Sequence, residues 1–317
     1  MLVDGKWTAD WHPVQAKDEK GGFVRQISGF RNWVTPDGSA GPAGEGGFKA
    51  EAGRYHLYAA LICPWACRTL IGRALKGLED VIGVSVVEPQ LTKEGWAFGD
   101  YPGATRDAVN GATYMHEIYT KADPAYTGRA TVPVLWDKQK NTIVNNESAD
   151  ILRMLSTGFG PLAANAIDLY PRATQREIDA FNARIYPALN NGVYRAGFAT
   201  TQEAYEEAFA EVFACLDTVD AELEGKRFLF ADHPTEADIR LFVTLVRFDA
   251  AYHGLFKCNL RRVADYRNLR PFLRRMLDWP GVAATVSIDH IKRGYYSIAA
   301  LNPNGIVPAG PALEEIL

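Results

Sequence analysis

Cysteine is scarce in this chain, and its spacing argues against two classes of protein. The 317 residues contain four cysteines (Cys63, Cys67, Cys215 and Cys258), and none of them forms a CxxC pair. A small disulfide-stapled scaffold and a structural zinc site both depend on more cysteines at paired spacings. We therefore expect four reduced thiols and no metal centre.

Long apolar runs and an excess of basic residues are also missing. No run reaches the roughly 18 apolar residues that span a bilayer, and the N-terminal stretch MLVDGKWTADWHPVQAKDEKGG lacks the apolar core of a signal peptide. Lysine and arginine total 34 against 38 acidic residues, for a formal net charge of −4, and they are dispersed along the chain. The cytoplasm is the expected location, and neither a membrane nor a nucleic acid is an expected partner.

Apolar residues make up 47% of the chain, which suffices for sizeable cores, and the length suggests about two domains. Residues 1–50 are rich in glycine and polar residues, and we interpret them as an extension on the body. Four aromatic residues are expected to pin this extension down: Trp7, Trp11, Phe30 and Trp33.

Strand and helix patterns alternate over residues 51–156. A strand-like RYHLYAAL, a helical PWACRTLIGRALKGL and a β-branched DVIGVSVVEP are followed by a long polar insertion, and then by TVPVLWD, NTIVNN and the helical ESADILRMLS. This β-α-β, then β-β-α order is that of a thioredoxin-like α/β domain. Glycine and proline break the pattern between 156 and 172, and apolar spacings of three and four predict an all-helical domain over 172–317.

The most informative local signal is Cys63 followed by Pro64, where the first strand gives way to a helix. Proline suits the first helical position, which makes Cys63 the N-cap. The amides and dipole at a helix start stabilise a thiolate and lower the pKa of the thiol, so Cys63 is predicted to be a nucleophile. The alternative is an inert buried cysteine, which is common in proteins.

The thiol motif departs from that of a dithiol redox protein. Ala66 stands where such a protein carries its second cysteine, so a resolving thiol must come from elsewhere. Cys67 lies one turn further along the helix, where a bridge to Cys63 would strain the helical geometry. We interpret Cys67 as a packing residue.

A second signal is the Thr-Val-Pro turn that precedes the third strand. In a thioredoxin-like fold the residue before a cis proline offers its backbone to an extended thiol peptide. Val132, before Pro133, is therefore a predicted ligand-binding position. A third signal is Glu147 with Ser148 at a helix start that can hold a carboxylate, and plain helix capping is the alternative.

With these motifs in order, the chain resembles the glutathione transferase superfamily, and specifically the xi class, the glutathionyl-hydroquinone reductases. CPWACRTLIGRALKGLE, the insertion with GWAF, TVPVLWD, NNESADILRML and the tail NPNGIVPAGP carry the resemblance, which covers about residues 30–317. It implies the glutathione transferase fold, glutathione as co-substrate without metal or nucleotide, and a homodimer. It further implies a catalytic Cys63, a glutathione site and a tyrosine cluster over the aromatic substrate. The glutathione site would comprise Trp96, Arg129, Val132, Glu147 and Ser148, and the cluster Tyr194, Tyr252 and Tyr295.

Several of these residues also have ordinary structural interpretations. Trp96 follows Gly95 in a polar loop with little core to fill, which favours a ligand contact over packing. Arg129 is either a solvated charge or a partner for a glutathione carboxylate. Among 14 tyrosines, the three of the cluster could be core residues. Asp238 with Thr235 has capping-box spacing, and we leave it out of the site.

The resulting hypothesis is attack of the Cys63 thiolate on the sulfur of a glutathionyl-hydroquinone, followed by resolution with a second glutathione, with a tyrosine supplying a proton. Two alternatives remain open. One is a conjugating transferase, which usually activates glutathione with serine or tyrosine. The other is a binding module of the same fold without chemistry.

Overall fold

The computed structural model describes residues 1–9 and 16–317, and the chain forms two compact units. Of the described residues, the first unit comprises 1–9, 27–167 and 284–290, and the second comprises 16–26, 168–283 and 291–317. Each unit is built from three separate segments of the chain. The predicted domain limits 1–50, 51–156 and 172–317 therefore remain predictions. Trp11 lies outside the described residues.

A four-stranded sheet forms the centre of the first unit. Its strands are β5 (Tyr55–Ala59), β6 (Gly83–Val86), β7 (Val134–Asp137) and β8 (Thr142–Asn145), in the order β6-β5-β7-β8. β5 pairs with β6 in parallel and with β7 antiparallel, and β7 pairs antiparallel with β8. The predicted β-α-β, then β-β-α order is confirmed, and with it the thioredoxin-like fold.

Two helices pack against each other in the first unit, α1 (Pro64–Leu75) and α3 (Ser148–Thr157). Gly72 allows the close approach, since a Cβ atom there would lie 2.6 Å from Cδ1 of Leu152. The predicted nucleophile precedes α1, and the predicted Glu147–Ser148 pair opens α3. The contact therefore ties together the two helix starts singled out by sequence.

The insertion between β6 and β7 contains a helix that the sequence pattern did not predict, α2 (Met115–Ala122). At eight residues it offers barely two turns, which is too short for a clear periodicity. Met115, Ile118 and Tyr119 are fully buried, so the insertion contributes to the core of the unit.

Residues before β5 form two short antiparallel pairs. β1 (Leu2–Val3) pairs with β2 (Lys6–Trp7) in the first unit, and β3 (Ala16–Lys17) pairs with β4 (Phe23–Val24) in the second. In the first unit the indole of Trp7 stacks on the ring of His116 with 4.6 Å between centroids. Its Nε1 donates to the carbonyl oxygen of Lys93 at 3.0 Å.

The second unit is helical apart from that small strand pair, as predicted for 172–317. Its helices are α4 (Gln175–Ile185), α5 (Gly192–Gly197), α6 (Gln202–Glu222), α7 (Glu236–Arg247), α8 (Leu269–Leu277) and α10 (Leu313–Ile316); α9 (Ile288–Tyr296) begins in the first unit. π-Helical turns at Tyr186–Asn190 and Phe248–Tyr252 follow α4 and α7.

The start of α7 confirms the structural interpretation of Asp238. Its carboxylate accepts from the amide of Thr235 at 2.8 Å, from the Thr235 hydroxyl at 2.6 Å and from the amide of Leu229 at 2.9 Å. All of these groups are buried. Across residues 1–9 and 16–317, no helix combines the length and apolarity needed to cross a bilayer.

Candidate functional site

Cys63 is the N-cap of α1, as the sequence predicted. Its backbone is extended (φ −76°, ψ 119°), Pro64 occupies the first helical position, and the first turn contains no acidic residue. The thiol is partly exposed, and Sγ lies 3.6 Å from the carbonyl oxygen of Val132. The structure therefore brings the predicted nucleophile and the predicted backbone-binding position into direct contact.

The Val132–Pro133 peptide bond is cis, as in the thioredoxin-like arrangement from which Val132 was predicted to bind a ligand. Val132 is buried, immediately before β7 begins at Val134. Arg129 lies three residues earlier and is half-buried, with its carbonyl oxygen accepting from the Tyr126 hydroxyl at 3.3 Å. Arg129 and Val132 thus stand on one short segment that leads into the sheet.

Glu147 caps α3 with its own side chain. Its Oε1 accepts from the amide of Ala149 at 3.1 Å, and its Oε2 accepts from the hydroxyl of Ser28 at 3.0 Å. This is the capping alternative that the sequence left open. Glu147 is half-buried.

Ser148 is buried at the first position of α3, 3% exposed. Its hydroxyl accepts from Nη1 of Arg68 at 3.4 Å, and the Arg68 guanidinium lies over the ring of Trp65 at 4.5 Å. Sequence reasoning missed Arg68 and Ser28. The signal for Arg68 was a charged residue in a helix whose neighbours are apolar, whereas Ser28 carried no local signal.

Trp96 lies in the insertion and is partly exposed. The turn before it closes with hydrogen bonds between Thr92 and Gly95, and the carbonyl oxygen of Trp96 accepts from the amide of Met115 at 2.9 Å. Trp7 covers Gly95, where a Cβ atom would lie 3.0 Å from the indole. The Trp96 loop is therefore held on both sides.

The other three cysteines lie in the described part of the chain, and none of the four forms a disulfide. Cys67 is fully buried and its Sγ lies 3.6 Å from the carbonyl oxygen of Thr285, within the first unit. Burial raises the pKa of Cys215 to about 11 and that of Cys258 to about 12. Cys63 is the most exposed of the four. Within residues 1–9 and 16–317, no cluster of three histidine, cysteine or acidic side chains is arranged to hold a metal ion.

The second unit brings the three predicted tyrosines together. The hydroxyl of Tyr295 lies 2.5 Å from that of Tyr194 and 2.9 Å from that of Tyr252. Tyr252 and Tyr295 are buried, whereas Tyr194 is partly exposed. Burial raises the pKa of Tyr252 and Tyr295 well above the usual value, so both phenols keep their protons at neutral pH.

Two further residues complete this cluster, and sequence reasoning missed both. Phe256 stacks on Tyr252 with 5.2 Å between centroids, and the Arg25 guanidinium lies 4.9 Å from the ring centroid of Tyr194. Arg25 Nε also donates to the side-chain oxygen of Asn191 at 2.9 Å. The cluster is an array of phenols with one cation at its partly exposed member.

Two parts of the chain match models of known protein families. Residues 62–157 match the model of the glutathione S-transferase N-terminal domain, and residues 202–275 match that of the C-terminal domain. The chain belongs to the glutathione S-transferase family.

Individual relatives narrow the class. The chain is 53% identical to the glutathionyl-hydroquinone reductase YqjG of Escherichia coli (98% of this chain, 95% of YqjG) and 50% identical to the glutathionyl-hydroquinone reductase PcpF of Sphingobium chlorophenolicum (98% and 96%). The glutathione-bound structure of YqjG superposes with a TM-score of 0.90 and 50% identity, covering 98% of this chain and 95% of that one. A xi-class enzyme from Natrialba magadii superposes with a TM-score of 0.91, 48% identity and coverage of 98% and 93%. This chain belongs to the xi class of glutathione transferases.

Proposed function

We propose that this protein uses glutathione to reduce glutathionyl-hydroquinones to hydroquinones through a mixed disulfide on Cys63. The observation that carries the proposal is the thiol at the start of α1, 3.6 Å from the carbonyl oxygen of Val132 beside a cis proline. It is supported by the 53% and 50% identity to two proteins named for this activity over nearly the full chain.

The first step breaks the bond between the glutathionyl sulfur and the aromatic ring. The Cys63 thiolate attacks that sulfur, so an S–S bond forms as the C–S bond breaks. The electron pair of the broken bond stays with the ring carbon, which takes up a proton. The ring is reduced to the hydroquinone, and the two sulfurs are oxidised to the mixed disulfide.

The second step restores the enzyme. The thiolate of a second glutathione attacks the glutathionyl sulfur of the mixed disulfide, which releases oxidised glutathione and the Cys63 thiolate. One conjugate and one glutathione thus yield one hydroquinone and one glutathione disulfide. A second protein cysteine is not required, in agreement with Ala66 at the position of a resolving thiol and with the burial of Cys67.

Glutathione is assigned to the first unit. The backbone of Val132 is proposed to pair with the cysteinyl part of the tripeptide. The start of α3, with Glu147 and Ser148, is proposed to hold the γ-glutamyl end, where helix amides and a buried hydroxyl favour a carboxylate. Trp96 and Arg129 are proposed to contact the remainder, with the guanidinium of Arg129 paired to the glycyl carboxylate.

The phenol cluster of the second unit is the proposed proton source. Burial keeps the phenols of Tyr252 and Tyr295 protonated, and a hydrogen-bonded pair of hydroxyls can pass a proton to Tyr194 as Tyr194 gives up its own. Tyr194 is the partly exposed member and therefore the proposed donor to the departing ring carbon.

Intact mass after exposure to a glutathionyl-hydroquinone, without added glutathione, tests the proposal directly. A gain of one glutathionyl group, located on Cys63 by peptide mapping, is the expected result, together with one equivalent of hydroquinone. An unmodified protein that still makes conjugates from glutathione and an electrophile favours the conjugating transferase. Binding without any turnover favours the module without chemistry.

We also propose that the protein works in the cytoplasm as a homodimer, as the xi-class resemblance implies. The support for a reducing location is that none of the four cysteines, all within the described residues, forms a disulfide. Light scattering at micromolar concentration is expected to give twice the mass of one chain, and a single-chain mass contradicts the dimer.

A further inference from the structure

A buried phenol in the insertion touches both chain segments that carry proposed glutathione ligands. Tyr119, on α2, is fully buried, and its hydroxyl donates to the carbonyl oxygen of Thr131 at 3.0 Å. The phenol oxygen of Tyr119 accepts from the backbone amide of Thr131 at 3.2 Å and from the side-chain amide of Asn146 at 3.1 Å. Thr131 directly precedes Val132, and Asn146 directly precedes Glu147.

The hydrogen-bonding capacity of this hydroxyl is fully used. A phenol hydroxyl both donates and accepts hydrogen bonds. Tyr119 donates to the carbonyl oxygen of Thr131, accepts from the amides of Thr131 and Asn146, and also lies 3.2 Å from the hydroxyl of Thr131. Burial raises the pKa of Tyr119, which keeps the donated proton in place at neutral pH. One atom therefore joins the segment before Val132 to the start of α3.

Further contacts hold the Asn146 end of this connection and the ring of Tyr119. The side-chain oxygen of Asn146 accepts from the amide of Phe30 at 3.1 Å, and the Asn146 amide donates to the Phe30 carbonyl oxygen at 3.1 Å. The rings of Phe30 and Tyr126 lie 5.9 and 5.0 Å from that of Tyr119, and they hold its orientation. The phenol is thus a rigid connector rather than a mobile side chain.

We propose that Tyr119 is a positioning residue for glutathione, because it sets the separation between the Val132 backbone and the Glu147–Ser148 helix start. The inference rests on the proposed function, which assigns glutathione to these two segments. Loss of the hydroxyl leaves three polar groups short of a partner, the buried amide of Asn146 and two half-buried backbone groups of Thr131, and lets the two segments relax independently. The insertion acquires a function in this way, since its only helix among the described residues supplies the connector.

Tyr119→Phe is the test, with Tyr58→Phe as the matched control. Tyr58 is also fully buried in the first unit, and its hydroxyl donates to Asp107 at 2.9 Å and accepts from Asn110 at 2.9 Å. Tyr119→Phe is expected to raise the Kd for glutathione, measured by calorimetry, and the KM for glutathione about tenfold, with kcat at saturation within about twofold. Tyr58→Phe is expected to lower the melting temperature comparably while leaving the Kd within about twofold.

An unchanged Kd in Tyr119→Phe, or an equal rise in Tyr58→Phe, overturns the proposal. Asn146→Ala cuts the same connection from its other end and is expected to weaken glutathione binding by itself, which keeps the test decisive if Tyr119→Phe does not fold. The two substitutions together are expected to be less than additive in their effect on the free energy of glutathione binding, and additivity also overturns the proposed connector.

Wild-type protein that binds glutathione but does not reduce the conjugate removes the proposed function and leaves this comparison of affinities intact. Wild-type protein that does not bind glutathione overturns both.

Discussion

Two helices of the first unit begin in opposite ways. α1 begins with a thiol, a proline at the first helical position and no acidic residue in its first turn. α3 begins with Glu147, whose carboxylate accepts from the amide of Ala149, and its first turn adds Asp150 in an ion pair with Arg31 at 2.5 Å. One start lacks a carboxylate of its own, and the other is already provided with two.

The difference shows how one kind of backbone site serves two tasks. At α1 the dipole acts on a group that becomes a better nucleophile when it is charged. At α3 the resident carboxylate already accepts from the Ala149 amide, so this helix start is satisfied without glutathione.

Cys63→Ser removes the anionic nucleophile from the start of α1. A serine hydroxyl does not ionise near neutral pH, so we expect reduction of a glutathionyl-hydroquinone to fall about a thousandfold or more. Glutathione affinity and the melting temperature are expected to stay close to wild type, since the exchange is nearly isosteric. Steady-state kinetics and calorimetry measure the two quantities, and near-normal turnover would falsify the covalent mechanism.

The pH dependence of alkylation separates the thiol at the helix start from the buried thiols. Burial raises the pKa of Cys215 to about 11 and that of Cys258 to about 12, so both remain protonated thiols at neutral pH and up to about pH 10. We expect iodoacetamide to label Cys63 at pH 7 about a hundredfold faster than Cys215, with a rate midpoint below the usual value near 8.5. Peptide mapping measures each rate, and a midpoint at or above 8.5 argues against a dipole-stabilised thiolate.

Glu147→Ala removes the resident carboxylate from the start of α3. We expect the KM for glutathione to rise about tenfold, and the free energy of unfolding to fall by roughly 1 kcal/mol through the lost N-cap. Thr201→Ala is the control, because Thr201 caps α6 in the second unit by accepting from the amide of Ala204 at 3.2 Å. It should lower stability similarly and leave the KM unchanged. An equal change in KM in both variants would mean that Glu147 acts through stability alone.

Cys67→Ser is expected to have the smallest effect. Cys67 is fully buried one turn after Cys63, and its Sγ lies 3.6 and 3.9 Å from the carbonyl and hydroxyl oxygens of Thr285. We expect turnover within about twofold of wild type and a modest loss of stability. A loss of turnover as severe as that of Cys63→Ser would establish Cys67 as a second redox cysteine.

The parts of the fold that could be predicted are those with local causes. Proline at the first helical position, the Thr235–Asp238 capping box and the alternation of short strands all act within a few residues of the chain. Helix α2 could not be predicted, because eight residues are too few for an apolar periodicity to stand out. The π-helical turns that follow α4 and α7 escaped prediction for a related reason, since the apolar spacing continues through both turns.

The site divides along the same line. Cys63, Val132 and Glu147 carry local signals, namely a helix start, a turn before a strand and a cap. Partners such as Ser28, which is 119 residues away from Glu147, become visible only when the chain is folded. The phenol contact that joins Tyr194 to Tyr295 spans 101 residues, and only the family resemblance had grouped these tyrosines.

The glycine contact between α1 and α3 has a consequence for ligand choice. Gly72 brings the two helices so close that a Cβ atom would lie 2.6 Å from Leu152, and dense packing of this kind resists sliding. The spacing between the thiol before α1 and the buried hydroxyl of Ser148 is therefore fixed. A thiol peptide that contacts both groups is selected by the length of the part that joins them. We expect glutathione and γ-glutamylcysteine, which share the γ-glutamyl and cysteinyl parts, to be preferred over free cysteine for reasons of reach, before any difference in charge is considered.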